Sequence, residues 1–267
     1  MECLNPKGIV NPKLGVSMRV RCGKCLACKE YRAGQWTIRL IEQEKCTKNN
    51  WFVTLTLNDE NITWGKYNPT LNKRDVQLFF KKLRKLLETR ISYFAVGEYG
   101  SQTKRPHYHI LLFNTGVDNK EVLLSLLQLA WTDSKSDGKG FIHTGSVTPQ
   151  SIRYVSGYME KGINGEAVSE EIQREFNLMS KGIGKEYLEK NFFYHFENEK
   201  ITYRYKGIEK PLPRYYRDKI FQPNDRERIF QKIADSKPKR TASQEKDDIR
   251  SRIQRIRAKK QLKTERK

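Results

Sequence analysis

The chain has no long hydrophobic run: its most apolar stretch, Val122–Trp131, is ten residues, and a membrane span takes about 20. Its first residues, MECLNPKGIVNPK, offer no apolar core for a signal peptide, so neither membrane insertion nor secretion is expected. No GxxxxGK[ST] segment is present, which excludes a nucleotide-driven motor of that type and leaves strand separation to a partner. Disulfide scaffolding is also missing. The five cysteines are odd in number and three crowd into Cys22–Cys28, a pattern of a reducing compartment. Acid is scarce. Lysine and arginine number 52 against 31 aspartates and glutamates, a net charge of +21, and an imbalance of that size attracts a polyanion. Aromatics at 11% supply flat side chains for stacking on bases. Hydrophobic residues, at 37%, are too few for the whole length to be well packed.

The 267 residues suit one large domain or two small ones. Residues 1–50 read as a loop-rich, cysteine-bearing segment in need of a staple. Trp51–Leu57 is β-branched and aromatic, a strand pattern. Asn72 with Asp75 begins a helix whose stripe is Val76, Phe79, Phe80, Leu83 and Leu87. Ser92–Tyr99 and His107–Phe113 read as a hairpin around the turn GSQTKRP. Asp118 and Glu121 form a capping box for a helix over Val122–Trp131. Gly140–Val147 is a further strand. Thr148 as N-cap and Pro149 at the first helical position open a helix through Lys161. The order β-α-β-β-α-β-α predicts an α+β fold, with a mainly antiparallel sheet and helices covering one face. Beyond it, a helix is expected over Ser169–Ser180 and a hairpin over Phe192–Tyr205. Residues 222–267, with 16 basic and 7 acidic side chains, read as a basic tail without an apolar face, helical or disordered.

Chemistry concentrates in three places. In RPHYHILLF, His107 and His109 are two apart on a strand and share a face, close enough to bind one cation. Such a pair also occurs as plain sheet-surface histidines. Glu98, at the end of the neighbouring strand, would complete a two-histidine, one-carboxylate site open to Mg²⁺ or Mn²⁺. In RYVSGYMEK, Tyr154 and Tyr158 fall one helical turn apart, with Lys161 three residues further on the same side; the ordinary role of such a pair is core packing. Forming a phenolate at pH 7 costs roughly 4 kcal/mol from a free pKa near 10, so a nucleophilic tyrosine needs nearby positive charge. Lys161, a turn beyond Tyr158, points to Tyr158 as first nucleophile. The third place is Cys22, Cys25 and Cys28, a CxxCxxC run that reads either as three ligands of structural zinc or as reduced thiols. Cys3 is the expected fourth ligand and Cys46 the alternative.

Taken together, WFVTLTLN, RPHYHILLF and YVSGYMEK resemble, in order and spacing, the three motifs of the HUH endonuclease superfamily, and YxxxYxxK resembles its two-tyrosine branch. CGKCLACK, VGEYG and KPLPRYYRDKIF bring the likeness closer to the replication initiators of gokushoviruses, single-stranded DNA phages of the Microviridae. The resemblance runs from about Cys3 to Phe221. It implies that His107 and His109 bind a divalent metal, that Tyr154 and Tyr158 are nucleophiles with Lys161 as their basic companion, and that residues 51–221 form a nicking domain. Thr54 and Thr56 are left as structural or substrate-facing. The implied activity is site-specific cleavage and rejoining of single-stranded origin DNA through a 5′-phosphotyrosine, to start rolling-circle replication in the host bacterial cytoplasm with a host helicase and DNA polymerase. Plasmid initiators, relaxases and transposases use equivalent parts. A non-enzymatic DNA-binding protein remains the alternative of a different class, because basic charge explains affinity in either case.

Overall fold

In the computed structural model, residues 3–10, 15, 17–100, 102–132, 138–161 and 172–236 are described, with scattered positions between 241 and 258. The chain starts with a hairpin, β1 (Lys7–Val10) and β2 (Ser17–Val20), and then a 21-residue helix, α1 (Leu26–Cys46). Much of the segment expected to be loop-rich is therefore helical. Its apolar positions, Ala33, Ile38, Leu40 and Ile41, are buried, but basic and polar residues between them blur the stripe. Strand β3 (Trp51–Thr56), helix α2 (Lys73–Leu86), strands β4 (Ser92–Tyr99) and β5 (Pro106–Phe113), helix α3 (Lys120–Ala130), strand β6 (Ile142–Ser146) and helix α4 (Pro149–Lys161) follow in the expected order. Asn72 caps α2 as anticipated, accepting the Arg74 N–H. The cap of α3 is Asn119, whose side chain accepts the Val122 N–H, rather than Asp118.

After α4 the structure departs from the sequence pattern. Phe176–Met179 is a strand, β7, where the end of a helix was expected; residues 162–171, with the start of that expected helix, lie outside the described ones. Lys185–Glu197 is a helix, α5, where the predicted hairpin was to begin, and the hairpin comes later as β8 (Thr202–Tyr205) and β9 (Ile208–Pro211). Two helices close the described chain, α6 (Arg214–Ile220) and α7 (Pro223–Asp235). The first part of the supposed tail is thus an ordered helix with a buried Ile229.

Five strands form one antiparallel sheet in the order β6-β3-β5-β4-β7. Side chains alternate between its faces. One face carries Val53, Leu55, Tyr108, Ile110 and Leu112 into the main core, where Val76, Phe79, Phe80 and Leu83 of α2 and Leu123 and Leu127 of α3 meet them. Fully burying a side chain such as Phe79 or Leu83 contributes about 1.5–3 kcal/mol. The opposite face carries His107, His109, Thr54 and Glu98. It is covered too: α4 packs on β4 and β5, and Trp36 of α1 lies 5.1 Å from Phe94. Helices therefore occupy both faces, not one. That is why β4 and β5 are buried along almost their whole length and read as continuous rather than alternating apolar runs.

The chain divides into two compact units, one of residues 32–192 and another of residues 1–31 with 193–267. The first contains the five-stranded sheet. The second contains both hairpins, α6 and α7, with Tyr203, Leu212, Tyr216, Ile220, Phe221 and Ile229 buried in it. Among the described residues no helix is long and apolar enough to cross a membrane.

Candidate functional site

The turn before β5 sets the first histidine. Arg105 donates to the Leu57 carbonyl and pairs with Asp59, while its own carbonyl accepts the Gly100 N–H and lies 2.8 Å from His107 Nδ1. A carbonyl only accepts, so Nδ1 carries the proton and Nε2 keeps its lone pair, the state that a metal-ligating histidine needs.

His109 is two residues on and held from both sides. Its Nδ1 is 3.0 Å from Thr54 Oγ1 and its Nε2 is 2.9 Å from Glu98 Oε1. All three belong to neighbouring strands, with Thr54 and Val96 directly opposite His109, and Glu98 opposite His107. The Thr54 hydroxyl both donates and accepts, so it suits either tautomer of the ring.

Helix α4 brings the tyrosines over this face. Thr148 and Ser151 cap its start reciprocally: the Ser151 N–H donates to Thr148 Oγ1 and the Thr148 N–H to Ser151 Oγ. On the helix flank, Ser156 Oγ sits 2.8 Å from Thr37 Oγ1 of α1. Ile152, Val155 and Met159 face inward. The two phenol rings meet edge to face at 5.0 Å, and each touches the His109 ring, Tyr154 edge-on and Tyr158 stacked. Tyr154 is 48% exposed, with its hydroxyl 3.4 Å from His109 Nε2, whereas Tyr158 is 8% exposed.

Burial raises both phenol pKa values, and the Glu98 carboxylate adds to the rise. Between them the tyrosines differ in sign. The hydrogen bond from Tyr158 favours an oxyanion on Tyr154, and the same bond holds the Tyr158 proton in place. Lys161 closes α4, and its side chain lies outside the described residues.

The donor set fits a divalent cation. Two ligands at right angles on an octahedral ion, each about 2.1 Å from it, stand about 3 Å apart, and His109 Nε2 and Glu98 Oε1 have that separation. Two imidazoles with one carboxylate suit Mn²⁺ or Mg²⁺. His107 stands a step aside, its ring nearly parallel to that of His109 with centroids 6.5 Å apart.

A family model described as Replication-associated protein ORF2 matches residues 50–163, the span holding every one of these side chains except Thr37. Replication-associated protein ORF2 of Spiroplasma virus 4 is 32% identical over 222 residues, which cover 78% of this chain and 69% of that protein. The chain belongs to this family of phage replication-associated proteins. Two further relatives agree. Replication-associated protein VP4 of Bdellovibrio phage phiMH2K is 32% identical over 74% of this chain and 66% of its own length. Replication-associated protein ORF4 of Chlamydia phage 1 is 22% identical over 76% and 53%. No solved structure matches.

In this replication-associated protein, sequence reasoning missed two contributors to the face. Thr54 orients His109 directly. His143 of β6 lies opposite Thr54 on the same sheet face, and only the pairing register, which local sequence does not show, could have placed it there. The cysteines resolve differently. Sγ atoms of Cys3, Cys22, Cys25 and Cys28 all lie within 4.8 Å of one another, while Cys46 is elsewhere, 4.0 Å from Lys190 Nζ. Backbone N–H groups of Cys25 and Lys24 lower the Cys22 thiol to about 6; burial raises that of Cys28 to about 12.

Proposed function

We propose that this protein is a site-specific single-strand DNA endonuclease and ligase that starts rolling-circle replication of a single-stranded DNA phage genome. The observation that carries this reading is the exposed Tyr154 hydroxyl, 3.4 Å from a His109 ring already paired with Glu98. Membership of a phage replication family supports the biological setting, and the net charge of +21 supports a polyanionic substrate.

In this reading His107, His109 and Glu98 hold a Mg²⁺ or Mn²⁺ ion, which supplies charge to the scissile phosphate and offsets the effect of Glu98 on the phenols. Thr54 and the Arg105 carbonyl keep the two imidazoles turned toward it. Tyr154 Oη forms the bond to phosphorus as the bond to the 3′-oxygen breaks, leaving a 5′-phosphotyrosine and a 3′-OH for a host polymerase. Tyr158 donates to the Tyr154 oxygen as charge develops there. It takes the nucleophile's role in the second transfer, when the released 3′-OH attacks the first link and closes a circle. This order reverses the one suggested by the position of Lys161, because exposure and the direction of the tyrosine–tyrosine hydrogen bond both favour Tyr154.

The test is incubation with single-stranded cognate phage DNA and Mn²⁺, followed by a search for a denaturant-resistant adduct. Tyr154→Phe should lose most of the adduct. Tyr158→Phe should slow its formation about tenfold, the worth of one hydrogen bond to a developing charge, and should stop circle closure. His107→Ala and His109→Ala should abolish cutting and keep DNA binding. An adduct that survives in the double phenylalanine variant, or no adduct with the native chain, overturns the proposal and leaves a DNA-binding protein.

A further inference from the structure

We propose that Cys3, Cys22, Cys25 and Cys28 bind one Zn²⁺ ion as a tetrathiolate site, separate from the two-histidine face. The sulfur spacing is that of a single tetrahedral ion. With Zn–S bonds of about 2.3 Å the edges of a ZnS₄ tetrahedron are about 3.8 Å. Cys3 and Cys25 Sγ are 3.8 Å apart, Cys22 and Cys28 Sγ 3.9 Å. Disulfide partners would stand about 2 Å apart, and all four cysteines are free thiols.

Local backbone supports the same set. The Cys22 N–H donates to Cys3 Sγ and the Cys25 N–H to Cys22 Sγ, at 3.2 and 3.3 Å, which favours thiolate over thiol. Gly23, with φ +74°, makes the left-handed turn that folds Cys25 back toward Cys22, a conformation other residues adopt at a cost. Four thiolates and one Zn²⁺ sum to a charge of −2. Arg21, Lys24 and Lys29 lie within this stretch and no acid does, and Lys29 is only 6% exposed. A lysine is seldom buried without negative charge nearby.

The fold also gives the ion something to hold. Every residue of β1 is exposed, and three of four in β2, and a two-stranded hairpin with so little buried is marginal alone. Lys7 pairs with Val20 at its open end. Cys3 precedes that end, Cys22 follows it, and Cys28 is in the first turn of α1. One ion would therefore clamp the base of the hairpin onto the start of the helix.

The experiment is elemental analysis of the full-length protein purified under reducing conditions without chelator, paired with Co²⁺ substitution. About one zinc per chain is expected, with the intense visible and near-ultraviolet absorption of a tetrahedral Co²⁺ thiolate site after exchange. Cys3→Ser and Cys25→Ser should lose most of the zinc, while Cys46→Ser and the double His107→Ala/His109→Ala variant should keep one per chain. Removing the ion with a chelator should speed proteolysis within residues 1–31. The proposal falls if the native chain holds no zinc and its thiols alkylate equally fast with and without added Zn²⁺. It also falls if iron occupies the site or if the histidine variant loses the zinc.

Discussion

Thr54 is the residue on which the two-histidine face turns, although it makes no bond to any reacting atom. Its hydroxyl, 3.0 Å from His109 Nδ1, fixes the plane of the ring that faces Glu98 and Tyr154. Thr54→Val keeps the β-branched shape a strand favours and removes only that hydroxyl. Loss of such an orienting partner typically weakens metal affinity or activity 10–100-fold. The Mn²⁺ concentration giving half-maximal cutting should rise by about that factor, with the melting temperature little changed; an unchanged Mn²⁺ midpoint would show that Thr54 does not orient the ligand. At this scale the sequence was informative about identities and poor about pairings. His107 and His109 two apart, and Tyr154 and Tyr158 four apart, announce shared faces through the strand and helix periods. That Thr54 serves His109, that His143 joins the row, and that Cys3 rather than Cys46 meets the CxxCxxC run all depend on contacts between segments distant in sequence.

At the scale of elements, the strands and helices from β3 to α4 were legible because each carries its own signal. Examples are the Asn72 cap, the Val76–Phe79–Phe80–Leu83 stripe, and Thr148 followed by Pro149. The misses have physical causes. Helix α1 buries a narrow stripe among charged residues, so its pattern resembles loop, and β7 is a four-residue edge strand whose assignment depends on pairing with β4. The approach to β6 rests on one glycine. Gly140 has φ +154°, and a Cβ there would come within 2.3 Å of the Thr56 carbonyl oxygen, where the Asn58 N–H also reaches the Lys139 carbonyl. Gly140→Ala must move the backbone of one strand or the other. It should destabilise the protein by about 1–3 kcal/mol, read as a lower denaturant midpoint. A variant as stable as the native chain would show that this crossing relaxes freely.

For the whole molecule, charge is distributed unevenly along the chain. Residues 222–236 hold three basic and three acidic side chains, so the +9 of residues 222–267 comes entirely from 13 basic and 4 acidic residues after Ser236. The ordered helix α7 is neutral, and the basic character begins where it ends. A chain truncated after Ser236 should bind DNA less tightly and with a flatter dependence on salt. Each phosphate no longer neutralised by the protein reduces the logarithmic slope by about 0.9 on duplex and 0.7 on single strands. The phosphodiester chosen for cutting should not change, since interactions with the DNA backbone carry no sequence information directly. A shifted cutting position would instead assign sequence reading to residues 237–267.

The sheet order also has a consequence in time. A ribosome delivers the chain from its first residue onward, and β3, β4 and β5, which carry Thr54, Glu98 and both histidines, are all made before residue 114. Helix α4 begins at Pro149, so the tyrosines emerge only after the face they will cover has been synthesised. Under the proposed function, a nascent chain can gather its ligands and meet DNA while it still has no means of cutting it, and the reactive oxygen is delivered to the site last.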